Sequence, residues 1–277
     1  MSIITISRGS MSGGQALAEC VASALGVPCI GREILVSAAG KVGVSAEQLS
    51  QNLEKSPGLW DRFTSERNLY VAGVQAALAD LVASGSVVYH GHAGHLLLRG
   101  VPAVLRVRLI APLSMRLRAV MERQHLKPDA AHAYIQKVDE ERVRWARFLY
   151  GVDLRDPGLY DLVLSLESMS IRSACNVVVA TACQAEFQVG DDTKAKLADF
   201  ALASRVKLSL ATNAASRGLD LTVKAERGTV TVSGDVPQAA RLASTSDRLE
   251  KELRGIVAAV DGVSGVDLSV RPFDPRV

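Results

Sequence analysis

Over the first two-thirds of the chain, two apolar rhythms alternate. Short β-branched runs predict strands, and stretches with apolar residues every three or four positions predict helices. Residues 2–6, with Ile3, Ile4 and Ile6, predict a first strand. Leu17, Val21 and Leu25 mark one face of a helix over 14–25 that stops at Gly26. A short extended piece over 27–30 leads to a helix around 31–42. Ser45 and Gln48 have capping-box spacing for another. A long helix is predicted over 65–84, then strands at 86–90 and 104–111. Pro112 and Pro128 open helices at 112–125 and 129–149. A strand at 160–165 and a helix at 170–184 close the series. Strands separated by helices predict a parallel sheet with right-handed crossovers. Ligands of such sheets bind at the carboxyl ends of the strands.

The rhythm changes near residue 188. A polar break is followed by a helix to about 210 and a strand over 219–225. A Gly228 turn leads to a strand over 229–233, then a helix over 237–260 and a strand over 263–270. This α-β-β-α-β order predicts a second, small α+β domain. The reading divides the chain into 1–187, a linker over 188–197, and 198–272.

The first strand runs directly into a loop of small residues, Gly9, Ser10, Met11, Ser12, Gly13 and Gly14. Gly9 and Gly14 have the spacing of the two glycines of a GxxxxGK[ST] loop. Such a loop turns backbone N–H groups inward on an anion, and the following helix adds unpaired amides and a partial positive charge. None of this needs a side chain. The lysine and hydroxyl that usually follow are replaced by Gln15 and Ala16, so the cradle is predicted to remain without its local cation.

At 277 residues with 48% hydrophobic and 22% charged residues, the chain is a folded protein rather than a disordered one. No apolar run is long enough to span a membrane, and no signal peptide is read at the N-terminus. Cys20, Cys29, Cys175 and Cys183 have no metal-ligand spacing. They are expected to be reduced, mostly small core residues of a cytoplasmic protein. The formal net charge is only +3, but residues 99–155 hold twelve Lys/Arg against six Asp/Glu. That excess suits a phosphate-bearing ligand or a solvated helix face. Without interleaved aromatics it does not suit nucleic acid. His90, His92 and His95 lack an accompanying carboxylate or cysteine, so no metal site is expected there.

Residues 1–185 resemble the cytidylate-kinase-like family of P-loop nucleotide kinases. The matching segments occur in order: the loop at 4–14, Gly26 to Leu35, the strand and turn at 87–94, the strand at 106–112, and 139–164. The resemblance implies a parallel sheet with flanking helices and phosphoryl transfer from ATP, with Mg²⁺, to a nucleoside monophosphate. It implies that Gly9, Ser10, Ser12, Gly13, Gly14 and Gln15 bind ATP, and that Arg32 holds the acceptor phosphate. It also implies that Arg142 and Arg147, on one lid helix, clamp the transferring group. Asp139 is spaced to pair with Arg142 along that helix. The chain departs from the family at Gln15 and at His92, which stands where the family carries Gly-Arg-Gly; an imidazolium at His92 would compensate in part. Both departures remove permanent positive charge near phosphates, which leaves two expectations. One is a working nucleotide kinase; the other is a pseudo-kinase that senses nucleotides without turnover.

Residues 198–272 resemble a BON domain through the hairpin around Gly228 and the turn around Gly262. That likeness implies a regulatory or assembly role, with a small-molecule or protein ligand, and allows a homo-oligomer.

Overall fold

The computed structural model describes residues 2–31, 64–91, 93–237 and 243–273. The helices expected at 31–42 and around 45–48 lie outside the described residues. The chain forms two compact units, the first containing described residues 2–31 and 84–190, the second 64–83 and 191–273.

The first unit is built on a parallel sheet of five strands: β1 (Ile3–Arg8), β2 (Cys29–Gly31), β3 (Val87–His90), β4 (Val104–Ile110) and β5 (Leu162–Ser165). Their spatial order is β2-β3-β1-β4-β5, so β1 lies at the centre. Ile3, Ile4 and Ile6 are all buried, as a strand covered on both faces requires. β1 is in register with β4 from Ile3 opposite Val104 to Arg8 opposite Leu109. That pairing places the carboxyl ends of both central strands side by side.

Helix α1 (Gly14–Leu25) lays Leu17, Ala18 and Val21 on the sheet, all fully buried. It ends at Gly26, whose left-handed backbone lets its N–H reach the carbonyls of Ala22 and Ser23. α2 (Thr64–Ser84) precedes β3, and the short α3 (Gly94–Leu97) follows it. α4 (Leu113–Gln124) leaves the end of β4. α5 (Pro128–Tyr150) is opened by Pro128, with Asp129 in its first turn, and is closed by Gly151. α6 (Ile171–Ala182) is capped by Ser170, whose hydroxyl accepts from the Ser173 N–H at 3.1 Å.

The cysteine expectation is corrected. Cys20 of α1 and Cys175 of α6 are joined as a disulfide within the core between these helices, leaving Cys29 and Cys183 free. The paired positions are 155 residues apart in sequence. A link of that span stabilises the fold by restricting the unfolded chain, by about 5 kcal/mol on chain-entropy grounds. Local spacing rules for cysteines do not register a pair brought together by two distant helices.

The second unit contains α2, α7 (Asp191–Thr212), β6 (Asp220–Glu226), β7 (Thr229–Pro237), α8 (Ala243–Ala258) and β8 (Gly265–Phe273). The α-β-β-α-β order read from the sequence is present over 191–273. Helix α7 already begins at Asp191, inside the stretch read as linker. β6 and β7 form a hairpin, and β8 pairs with β7 in parallel. Arg227 and Gly228 both take positive φ, 50° and 84°. That is the mirror-image two-residue turn that matches strand twist. Val230, Val232, Leu253 and Val257 are fully buried in this unit's core. Ala72 and Ala76 of α2 are buried with Leu208 and Ala211 of α7. So α2, which the sequence reading assigned to a contiguous N-terminal domain, clusters with the C-terminal elements.

Candidate functional site

β1 delivers its chain to the loop at residues 9–13, and α1 begins at Gly14. Gly13 caps α1 with φ 76°, a left-handed backbone that favours glycine. Met11 is also left-handed, at φ 54°. Two left-handed positions within three residues turn the chain back over the helix start. Ser10 and Ser12 are buried, at 3% and 1% exposure.

A cavity of about 150 Å³ opens beside the loop at the carboxyl ends of β1 and β4. Gly9 and Ser12 line it, together with the arginines at 8, 108, 116, 142 and 155 and one carboxylate, Asp139. Five guanidinium groups against one carboxylate give the cavity a cationic lining, chemistry suited to an anion.

The arginines are held by identifiable contacts. Arg116, in the first turn of α4, donates Nε to the Ser10 carbonyl at 2.8 Å and Nη2 to Ser10 Oγ at 2.7 Å. It also pairs with Asp139 of α5. Asp139 in turn accepts the Ser10 backbone N–H at 3.0 Å. Arg142, one turn along α5, donates to the Arg8 carbonyl at 3.2 Å. Arg108 donates to the Leu154 carbonyl and to Tyr160 Oη, the latter at 3.2 Å. Its guanidinium lies 5.4 Å from the centre of the Tyr160 ring.

The residues expected from the sequence separate into three groups. Gly9, Ser10, Ser12, Gly13, Gly14 and Arg142 come together at the loop. Gln15 does not point its side chain there: it is exposed and donates to Glu19 at 2.9 Å along α1. Arg147 does not line the cavity and is bonded to Asp153 at 2.7 Å. Arg155, with Arg147 beside it, holds the Asp153 carboxyl well below the usual carboxylate range. Arg32 and His92 lie outside the described residues. Asp139 pairs with Arg116 rather than with Arg142. Sequence reasoning missed Arg8, Arg108, Arg116 and Arg155. Arg116 carried a signal, since it lies in the first turn of the helix opening at Pro112, directly after a central strand.

Among the described residues no three His, Cys, Asp or Glu side chains are grouped as metal ligands. No described helix is long and apolar enough to cross a membrane.

The profile of the Cytidylate kinase-like family matches residues 3–168. The chain is 27% identical over 180 residues to a cytidylate kinase of Methanothrix thermoacetophila, covering 64% of this chain and 96% of that one. It is 25% identical over 184 residues to a cytidylate kinase of Pyrobaculum arsenaticum, covering 66% and 94%. A crystal structure of an uncharacterized protein from Eubacterium ventriosum superposes with a TM-score of 0.50 at 16% identity, covering 65% of this chain and 98% of that one. With a sheet of order 2-3-1-4-5, a glycine-serine loop after its central strand and a family match over three-fifths of its length, this chain belongs to the cytidylate kinase-like family.

Proposed function

We propose that the first unit binds ATP and transfers its terminal phosphoryl group to a nucleoside monophosphate of the cytidylate kind. The observation that carries this reading is the five-arginine cavity beside the loop. Phosphoryl transfer needs positioning and charge stabilisation more than covalent help. Loop amides and the start of α1 would hold phosphate oxygens. Arg116 and Arg142, on two helices, would balance charge on the transferring group, and Arg108 and Arg155 would extend that field. The residues fit a polyphosphate. For Mg²⁺ the fit is thinner, since Ala16 replaces a hydroxyl. Such an ion would be held mostly by phosphate and water, with Ser12 as the nearby protein oxygen.

A second reading has its own observation. With Gln15 turned toward Glu19, residue 15 supplies no charge to the loop, which favours binding without turnover. Titration of ATP and CMP with Mg²⁺, followed by a phosphoryl-transfer assay, separates the two. If arginines suffice, wild-type protein turns over. Gln15→Lys is expected to raise kcat/KM by about 10- to 10³-fold, the worth of one well-placed cation. Binding of both nucleotides without turnover, even after Gln15→Lys, would sink the kinase reading.

For the second unit we infer a BON-like module that regulates the first. Its α-β-β-α-β order and separate core support this reading. Leu253 is fully buried in that core, so Leu253→Asp opens it. A several-fold change in nucleotide affinity is then expected by calorimetry, and identical isotherms would overturn the regulatory role.

A further inference from the structure

Asp139 is the only carboxylate lining the cavity among the described residues, and its two oxygens occupy the positions a phosphate would want. One accepts the Ser10 N–H at 3.0 Å, and the other meets the Arg116 guanidinium. A backbone amide of the loop and a forked cation are the two kinds of donor that phosphate oxygens seek. Asp139 is 129 residues from Ser10 in sequence and sits on a different helix from Arg116. The contact therefore closes α5 over the loop and over the start of α4 at once. With Ser10 at 3% exposure, the amide is not open to solvent while the contact stands.

We propose that Asp139 is a built-in stand-in for phosphate: a latch that holds α5 on the loop and must leave before an anionic ligand seats. Asp139 is then a positioning residue, acting through Ser10 and Arg116. This inference rests on the reading of the cavity as a phosphate site. It adds that the site is self-occupied, and that ligand affinity is reduced by the fraction of time the latch is shut. Arg116 stays on the loop through Ser10 when the latch opens, because its contacts to the Ser10 carbonyl and hydroxyl do not involve Asp139. An incoming phosphate therefore exchanges one anion for another at the same donors and frees the Asp139 tie, while Arg142 of α5 keeps its contact to the Arg8 carbonyl.

Pyrophosphate and ATP are the probes, titrated into the full-length wild type and Asp139→Ala by calorimetry. Removing one charge-assisted anion contact is expected to tighten both ligands by roughly 10- to 100-fold. Hydrogen exchange at the Ser10 amide supplies a second readout. Protection is expected without ligand in the wild type, to be lost in the variant, and to return on adding pyrophosphate. A purely structural Asp139 would leave affinity unchanged or weaken it, and that result overturns the latch. If Asp139→Ala does not fold, Asp139→Asn removes the charge at nearly constant shape, with the same sign expected. Tighter pyrophosphate binding without ATP or CMP binding would keep the latch and overturn the nucleotide reading. Equal ATP affinity in the two proteins would do the reverse. Pyrophosphate binding to neither would overturn both.

Discussion

Arg116→Ala is expected to abolish most of the nucleotide chemistry, lowering kcat/KM by about 10²- to 10³-fold. The guanidinium lines the cavity, is mostly buried and bonds the loop itself through Ser10. Its removal takes away both a charge that phosphate would meet and the brace that fixes the loop. Arg116→Lys should restore only part of the loss, because an ammonium cannot reproduce the fork. Arg147→Ala is the comparison: its side chain is 58% exposed and tied to Asp153, off the cavity. It should stay within a few-fold of wild type. Steady-state kinetics of the three variants, with thermal melts to establish folding, decide the matter. Equal losses at Arg116 and Arg147 would show that the cavity is not where phosphate binds.

The second large effect concerns stability against pH. His95, in α3, is 4% exposed, and neither ring nitrogen has a hydrogen-bond partner among the described residues. Its ring lies 4.7 Å from that of Tyr160. Arg106 and Arg108 face it from β4, and Asp161 neutralises Arg106 through a bidentate pair. Burial first, then the two arginines, push the His95 pKa down to about 4 from 6.5. Between those values the unfolded chain binds a proton that the folded chain refuses, so stability rises with pH across the window. The contribution is complete above pH 6.5 and is lost as pH falls toward 4, about 3 kcal/mol in all. His95→Phe keeps an aromatic ring beside Tyr160 and removes the titration. Denaturant unfolding between pH 7 and pH 4 should show a wild-type loss that exceeds the variant's by about that amount. Parallel curves would refute the assignment.

The sheet and the loop were legible because each rests on local pattern. Ile3, Ile4 and Ile6 announce a buried strand, and the run of small residues after it announces the turn. The orientation of Gln15 was not: the loop pattern placed it with the phosphate-binding residues, whereas its amide bonds Glu19 one turn along the same helix. The contacts that assemble the cavity were not legible either. Arg116 reaches Ser10 across 106 residues, and Asp139 reaches it across 129. Periodicity carries no information about which of several arginines a fold will turn inward, and Arg147 shows the same residue type turned out. The Cys20–Cys175 bond was hidden for the same reason.

Helix α2 has a bearing on ancestry and on modularity. The stretch that matches the family, 3–168, runs straight through α2, yet Ala72 and Ala76 are buried against Leu208 and Ala211, far beyond its end. The inherited segment and the folding unit therefore have different borders. A chain ended at residue 190 would keep every strand of the five-stranded sheet, but it would strip α2 of that cover and leave its small apolar face wet. The kinase-like part of this protein is not a detachable cassette, because some of its helical surface has been lent to the sequence that follows.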